Sequence, residues 1–343
     1  KNGKGPGAII AKLKPTCVIQ PWTEQPDLAV DAKAPTNLKG LAARRETLAS
    51  MQGIAQHAIE VALPRLQRSF QNTAVAKQLA FIGEDNIGNA GAVKNLMTMG
   101  KNDYVYAKKK SKLNTFLPGV NVTVLGPPTV KQHDGVRKQR ANDPNEFWLT
   151  QAKALGVGQS ANAASAMDDL FPGHPYTSGG RAPNWARWIV QSLRNARGDQ
   201  LLELVRSLDT AMNNTSVILL FECGGMKFLF PGDAQIENWE YALAQDDLLA
   251  LLKDVSVYKV GHHGSRNATP KTLWENWFPR GSNKPAMKER MASFMSTKPG
   301  KHGDPAFGTE VPRSKLVTAL KGWTRLTSTE EMKDELFVEE LYG

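Results

Sequence analysis

The chain of 343 residues is 41% hydrophobic and 22% charged, with 29 glycines and 20 prolines, which excludes collagen-like, coiled-coil and wholly disordered classes. No run approaches the roughly 20 apolar residues of a membrane span, so a soluble protein without a membrane partner is expected. Lys and Arg number 43 against 33 Asp and Glu, a net charge of +10, and a basic surface draws polyanions such as nucleic acid or phosphorylated substrates.

Lys1 to Gly7 lacks the apolar core of a signal peptide and reads as a loop entered from something upstream. A short helix is predicted over Gly7–Leu13, and Pro15 stops it. Thr16–Gln20 then reads as a buried strand ending at Pro21. Leu38, Leu41, Leu48, Met51, Ile54 and Ile59 recur at helical spacings, which predicts a helical insertion over 37–100, with Pro64 breaking the run and His57 on a helix surface. Val105 and Tyr106 start a predicted strand before Lys108, Lys109, Lys110 and Lys112. That basic run, like the looser one of Lys131, Arg137, Lys138 and Arg140, is either a solvated face or a polyanion contact. Val120–Leu125 alternates as a strand and stops at Gly126-Pro127-Pro128, and 129–182 reads as an irregular insertion or lid. A helix follows, with Trp185, Trp188, Leu193 and Leu201 on its apolar face.

The last third is the most regular. Val217–Cys223 and Met226–Phe230 are apolar strands joined by Gly224-Gly225, the dipeptide a tight hairpin favours because both positions accept positive φ. A helix is predicted through Trp239 and Leu248 to Leu252, with Asp233 available to cap it. Strands follow at Val255–Val260 and Ala292–Met295. Strand, helix, strand, helix, strand is an α/β pattern. The two cysteines, Cys17 and Cys223, lie in apolar runs and are expected as small buried hydrophobes. Their low number suits a reducing, cytoplasmic compartment.

Three groups of chemically capable residues lie just beyond predicted strands: Asp233 after Gly232, His262 and His263 between Gly261 and Gly264, and His302 between Lys301 and Gly303. Ligand sites of layered α/β folds gather at strand ends, where loops bring side chains together while the sheet fixes their origin. Carboxylate and imidazole are suitable ligands for Zn²⁺, Mn²⁺ or Fe²⁺.

Asn213–Leu220, Lys227–Asp233 and Val257–Ser265 together resemble the second half of the metallo-β-lactamase fold, in its ComEC-like branch, over about 210–320. The resemblance implies a single domain over 1–343 built as a four-layer αββα sandwich, and a hydrolase that uses a metal-bound hydroxide. Its metals would be two Zn²⁺ ions, or Mn²⁺ or Fe²⁺. By that likeness Asp233 and His262 would be metal ligands. His263, Ser265 and His302 would serve the reaction by contacting substrate, moving protons or donating hydrogen bonds behind the ligands. Charge and resemblance together favour a phosphodiester substrate, nucleic acid or nucleotide. The family's His-x-His-x-Asp-His motif is absent from the chain. The sequence is therefore expected to be an N-terminally truncated piece of an active enzyme, incomplete as it stands, which also lacks the first strands. A further ligand histidine has no clear match beyond His133 and His174. The competing reading is a non-catalytic nucleic-acid or protein-binding module with a degenerate version of the fold.

Overall fold

The computed structural model describes residues 6–25, 33–35, 95–137, 215–298, 310–332 and 339. Most of the two insertions, the helix carrying Trp185 and Trp188, and the histidines His57, His174 and His302 lie outside the described residues.

The first helix, α1 (Pro6–Lys12), leads into β1 (Cys17–Pro21), which starts one residue later than the sequence predicts. Its partner is β2 (Lys101–Val105), parallel to it in a register that sets Val18 against Asn102 and Gln20 against Tyr104. Here the expected strand starting at Val105 is corrected: the strand ends there. The polar sequence Lys101-Asn102-Asp103 hides it, because Asp103 points inward, 1% exposed. Its carboxylate accepts hydrogen bonds from the Lys112 N–H (2.7 Å), Lys109 Nζ (3.0 Å) and Ser111 Oγ (3.1 Å). Trp22 links this small sheet to the rest, its Nε1 donating to Pro128 O at 3.1 Å in a buried bond.

After the short helix α2 (Leu113–Phe116), β3 (Asn121–Gly126) opens a six-stranded mixed sheet whose spatial order follows the chain. Its other strands are β4 (Ile218–Cys223), β5 (Met226–Phe230), β6 (Val257–Lys259), β7 (Ala292–Met295) and β8 (Arg325–Ser328). β3, β4 and β5 pair antiparallel, and β5 through β8 pair parallel. Gly224 and Gly225 close the predicted hairpin at φ 57° and 77°, values that L side chains adopt only with strain. The protein is thus α/β, with a mixed sheet rather than a purely parallel one.

Five helices follow the sheet's strands among the described residues: α3 (Ile236–Leu243), α4 (Asp246–Leu252), α5 (Lys271–Trp277), α6 (Lys284–Lys288) and α7 (Ser314–Trp323). The single helix expected through Leu252 is two, because the chain leaves helical geometry at Gln245. Leu220, Leu229 and Tyr258 from the sheet pack with Trp239, Leu252, Leu273, Trp277, Leu316 and Leu320 from the helices in one core cluster. Inside it the Tyr258 and Trp277 rings are 4.8 Å apart. Burial pushes the Tyr258 phenol up to about 12, against the hydrogen bond it shares with Thr269 Oγ1 at 2.8 Å. Among the described residues no helix is long and apolar enough to cross a membrane.

One further expectation is corrected. Cys223 is exposed and Cys17 only half-buried, because Cys223 closes β4 at the hairpin and Cys17 opens β1 at its rim. In the lysine run Lys108, Lys110 and Lys112 are exposed and Lys109 is half-buried, so the run faces solvent while some of its ammonium groups find partners. Lys108 Nζ pairs with Asp247 at 2.9 Å, Lys109 pairs with Asp103, and Lys112 Nζ donates to Asn102 O at 3.1 Å.

Candidate functional site

Because β5, β6 and β7 run parallel, their C-terminal ends share one edge of the sheet, and the loops leaving them meet there. From β5 the chain passes through Pro231 and Gly232 to the exposed Asp233. From β6 it enters Gly261-His262-His263-Gly264-Ser265. The two loops touch through their backbones: the His262 N–H donates to Gly232 O at 3.2 Å. Gly261 permits this approach, since a Cβ there would lie 3.0 Å from both Gly232 O and Pro231 Cγ. Asp233 does not cap the following helix. Gln235 occupies the position before α3, without a capping bond from its side chain.

The histidine pair has an unusual backbone. His262 and His263 stand at φ 40° and 52°, followed by Gly264 at 77°, so three successive residues are left-handed and two of them are not glycine. Such residues cost roughly 1–3 kcal/mol each and persist only where their surroundings over-determine them. Here the Ser265 N–H reaches back to His262 O at 2.9 Å, and the Arg313 N–H, at the start of α7, donates to Gly264 O at 2.8 Å.

The turn fixes both imidazoles through their Nδ1 atoms. His263 is exposed, and its Nδ1 lies 2.7 Å from Ser296 O, just past β7. A carbonyl only accepts, so His263 Nδ1 carries the proton and Nε2 the lone pair of the neutral ring. His262 Nδ1 lies 3.1 Å from Ser265 Oγ, which donates to Asn267 Oδ1 at 3.4 Å. Asn267 Nδ2 in turn donates to Gln235 Oε1 at 3.0 Å. Ser265, Asn267 and Gln235 are 6%, 4% and 4% exposed, so this chain of amides and hydroxyl is shielded from water.

Cationic groups flank the loops. Lys259, the last residue of β6, has its pKa lowered by burial, partly offset by the Asp233 carboxylate. Arg266 is lowered by burial and by the like charge of Arg313, with Glu237 acting the other way. Arg313 is 2% exposed and pairs with Glu310 at 2.9 Å.

Of the residues singled out from sequence, the fold therefore brings Asp233, His262, His263 and Ser265 to one edge. His302 lies outside the described residues. His133 sits elsewhere in its hydrogen bonding, with Nε2 2.9 Å from Glu240 Oε2 on α3. Among the described residues no three His, Cys, Asp or Glu side chains are grouped so as to hold a metal ion. Sequence reasoning missed Gln235, Asn267, Arg266, Arg313 and Ser296. All five lie within four residues of a glycine or proline near a strand end or helix start, a weak signal that marks position but not burial. The chain matches no known protein family, no curated protein and no solved structure.

Proposed function

We propose that the protein is a metal-dependent hydrolase of the metallo-β-lactamase type acting on a phosphodiester, with the six-stranded sheet forming half of an αββα sandwich. The observation that carries this reading is that the loops bearing Asp233 and the His262–His263 pair touch through a backbone hydrogen bond beyond adjacent parallel strands, with the histidines on a strained left-handed turn. Their donor chemistry fits a divalent metal: Asp233 offers carboxylate oxygen and His262 an Nε2 lone pair, the pairing that zinc-type ions accept. These two would hold the metal in part, and the remaining ligands would come from outside the described residues. A zinc-type ion, when bound, acidifies coordinated water toward neutrality.

The chain's own residues have separable tasks in this reading. Ser265 holds the His262 ring in place through Nδ1. His263, oriented by Ser296 O, presents Nε2 to take up or release a proton at the exposed edge of the site. Lys259 and Arg266 supply positive charge for phosphate oxygens.

The test is hydrolysis of bis(4-nitrophenyl) phosphate by the chain, extended upstream if its gene continues there, with Zn²⁺ or Mn²⁺ added. Chelator-sensitive turnover that Asp233→Ala abolishes is expected. Turnover unchanged in Asp233→Ala overturns the assignment. DNA binding that persists in chelator, without turnover, supports the non-catalytic module in its place.

A further inference from the structure

We infer that Asn267 and Gln235 are positioning residues that fix the proton of His262 on Nδ1 and so leave the lone pair on Nε2. Gln235 Oε1 accepts from Asn267 Nδ2 at 3.0 Å, which turns Asn267 Oδ1 toward Ser265. Amide oxygens only accept, so the Ser265 hydroxyl gives its one proton to Asn267 Oδ1 at 3.4 Å. With that proton used, Ser265 Oγ meets His262 Nδ1, 3.1 Å away, as an acceptor. Nδ1 must then be the donor. Two neutral amides, Asn267 on the same loop as His262 and Gln235 on the loop after β5, thereby decide which nitrogen of the imidazole is basic.

The relay is closed to solvent. Ser265, Asn267 and Gln235 are each at least nine-tenths buried, so water does not substitute for a missing partner and a reversed bond must propagate. His263 reaches the same tautomer by an independent route, the Ser296 carbonyl. The two adjacent rings, with centroids 6.4 Å apart, therefore share one protonation pattern. The consequence for metal binding rests on the hydrolase reading above; the proton assignment does not.

Two substitutions separate the alternatives. In Asn267→Leu the Ser265 hydroxyl has lost its acceptor and turns its proton onto His262 Nδ1, which moves the ring's proton to Nε2. In Asn267→Asp the acceptor remains and the native tautomer is kept. Long-range ¹H–¹⁵N correlation spectra of the metal-free, ¹⁵N-histidine-labelled chain at alkaline pH report the tautomer directly, with His263 as an internal reference that neither substitution moves. The expected result is an Nδ1–H ring for His262 in the wild type and Asn267→Asp, and an Nε2–H ring in Asn267→Leu. A wild-type His262 protonated on Nε2 overturns the inference, even if Asn267→Leu fails to fold. So does an unchanged tautomer in a folded Asn267→Leu. Titration with Zn²⁺ is then read separately, with affinity about 10–100-fold weaker in Asn267→Leu than in Asn267→Asp, as expected for a partner behind a ligand. A wild type that binds no Zn²⁺ overturns the metal reading while the spectra still decide the tautomer.

Discussion

Gly261→Ala tests whether the spacing of the two loops matters to the site. Gly261 has φ −72° and ψ 159°, a backbone conformation open to any residue, so the substitution acts through its added methyl group alone. That methyl would lie 3.0 Å from Gly232 O and from Pro231 Cγ, where ordinary contact begins at 3.4 Å, so the loops must part by about 0.4 Å. The His262 N–H···O Gly232 bond, 3.2 Å long, then stretches to about 3.6 Å and is lost as a hydrogen bond. Overpacking costs about 1–3 kcal/mol, and replacing glycine returns roughly 0.4–1 kcal/mol through the unfolded chain. The net is near 1 kcal/mol, a fall in Tm of about 2–4 °C. Activity suffers more, because Asp233 and His262 ride on the loops that part. With about 100-fold lost per ångström of misplacement, kcat/KM for the model phosphodiester should fall about sixfold. Gly281→Ala is the control: at φ 85° with nothing within 4 Å, it strains the backbone far from the site and should lower Tm without touching turnover. Wild-type Tm and wild-type kcat/KM in Gly261→Ala would refute the close approach.

Asp103 governs an acid limb. Burial alone would raise its carboxyl, but hydrogen bonds from the Lys112 N–H and Lys109, the charge of Lys109 and the Ser111 bond together hold it below the ordinary 3.8. A depressed native pKa means stability that is complete above the unfolded value and lost as pH falls through the native one. Urea midpoints should therefore drop below about pH 4 in the wild type and do so less steeply in Asp103→Asn, which also loses about 2 kcal/mol at neutral pH. Trp277 and Trp239 are both fully buried, but Trp277 Nε1 donates to Leu252 O at 2.8 Å, while Trp239 Nε1 has no hydrogen-bond partner among the described residues. Trp277→Phe should accordingly cost about 1–2 kcal/mol more than Trp239→Phe by denaturant unfolding, and equal costs would contradict the pairing.

What could be read from sequence was whatever a side-chain pattern announces. Gly224-Gly225 between two apolar runs fixed the β4–β5 hairpin, and glycines around Asp233 and the two histidines marked loops at strand ends. β2 escaped notice because its inward residue is an aspartate, satisfied by three donors that the sequence places after it. β8 escaped because Arg325-Leu326-Thr327-Ser328 is short and polar, and it joins the sheet by pairing with β7 rather than by its own hydrophobicity. α7 buries only Leu316 and Leu320, four residues apart. Of the Gln235–Asn267–Ser265 chain only Ser265 stood out, since uncharged amides occur in any loop and only burial makes Gln235 and Asn267 decisive. Likewise a run of four lysines looks the same whether it faces solvent or pairs with Asp247 and Asp103.

The left-handed histidines point to a last experiment, in which the usual order of two substitutions should reverse. In most positions alanine is more stable than glycine, because glycine has more freedom to lose on folding, a difference of roughly 0.5–1 kcal/mol. His263 stands at φ 52°, where a Cβ is strained by roughly 1–3 kcal/mol and glycine is not. Both His263→Ala and His263→Gly lose the 2.7 Å bond to Ser296 O, so that loss cancels between them. The strain does not cancel, and it outweighs the glycine entropy. His263→Gly should therefore be the more stable of the pair, by about 1 kcal/mol in urea unfolding, while both lack the imidazole at the edge of the site. If alanine proves the more stable substitution, the turn relaxes freely and the strain argument for the site is lost.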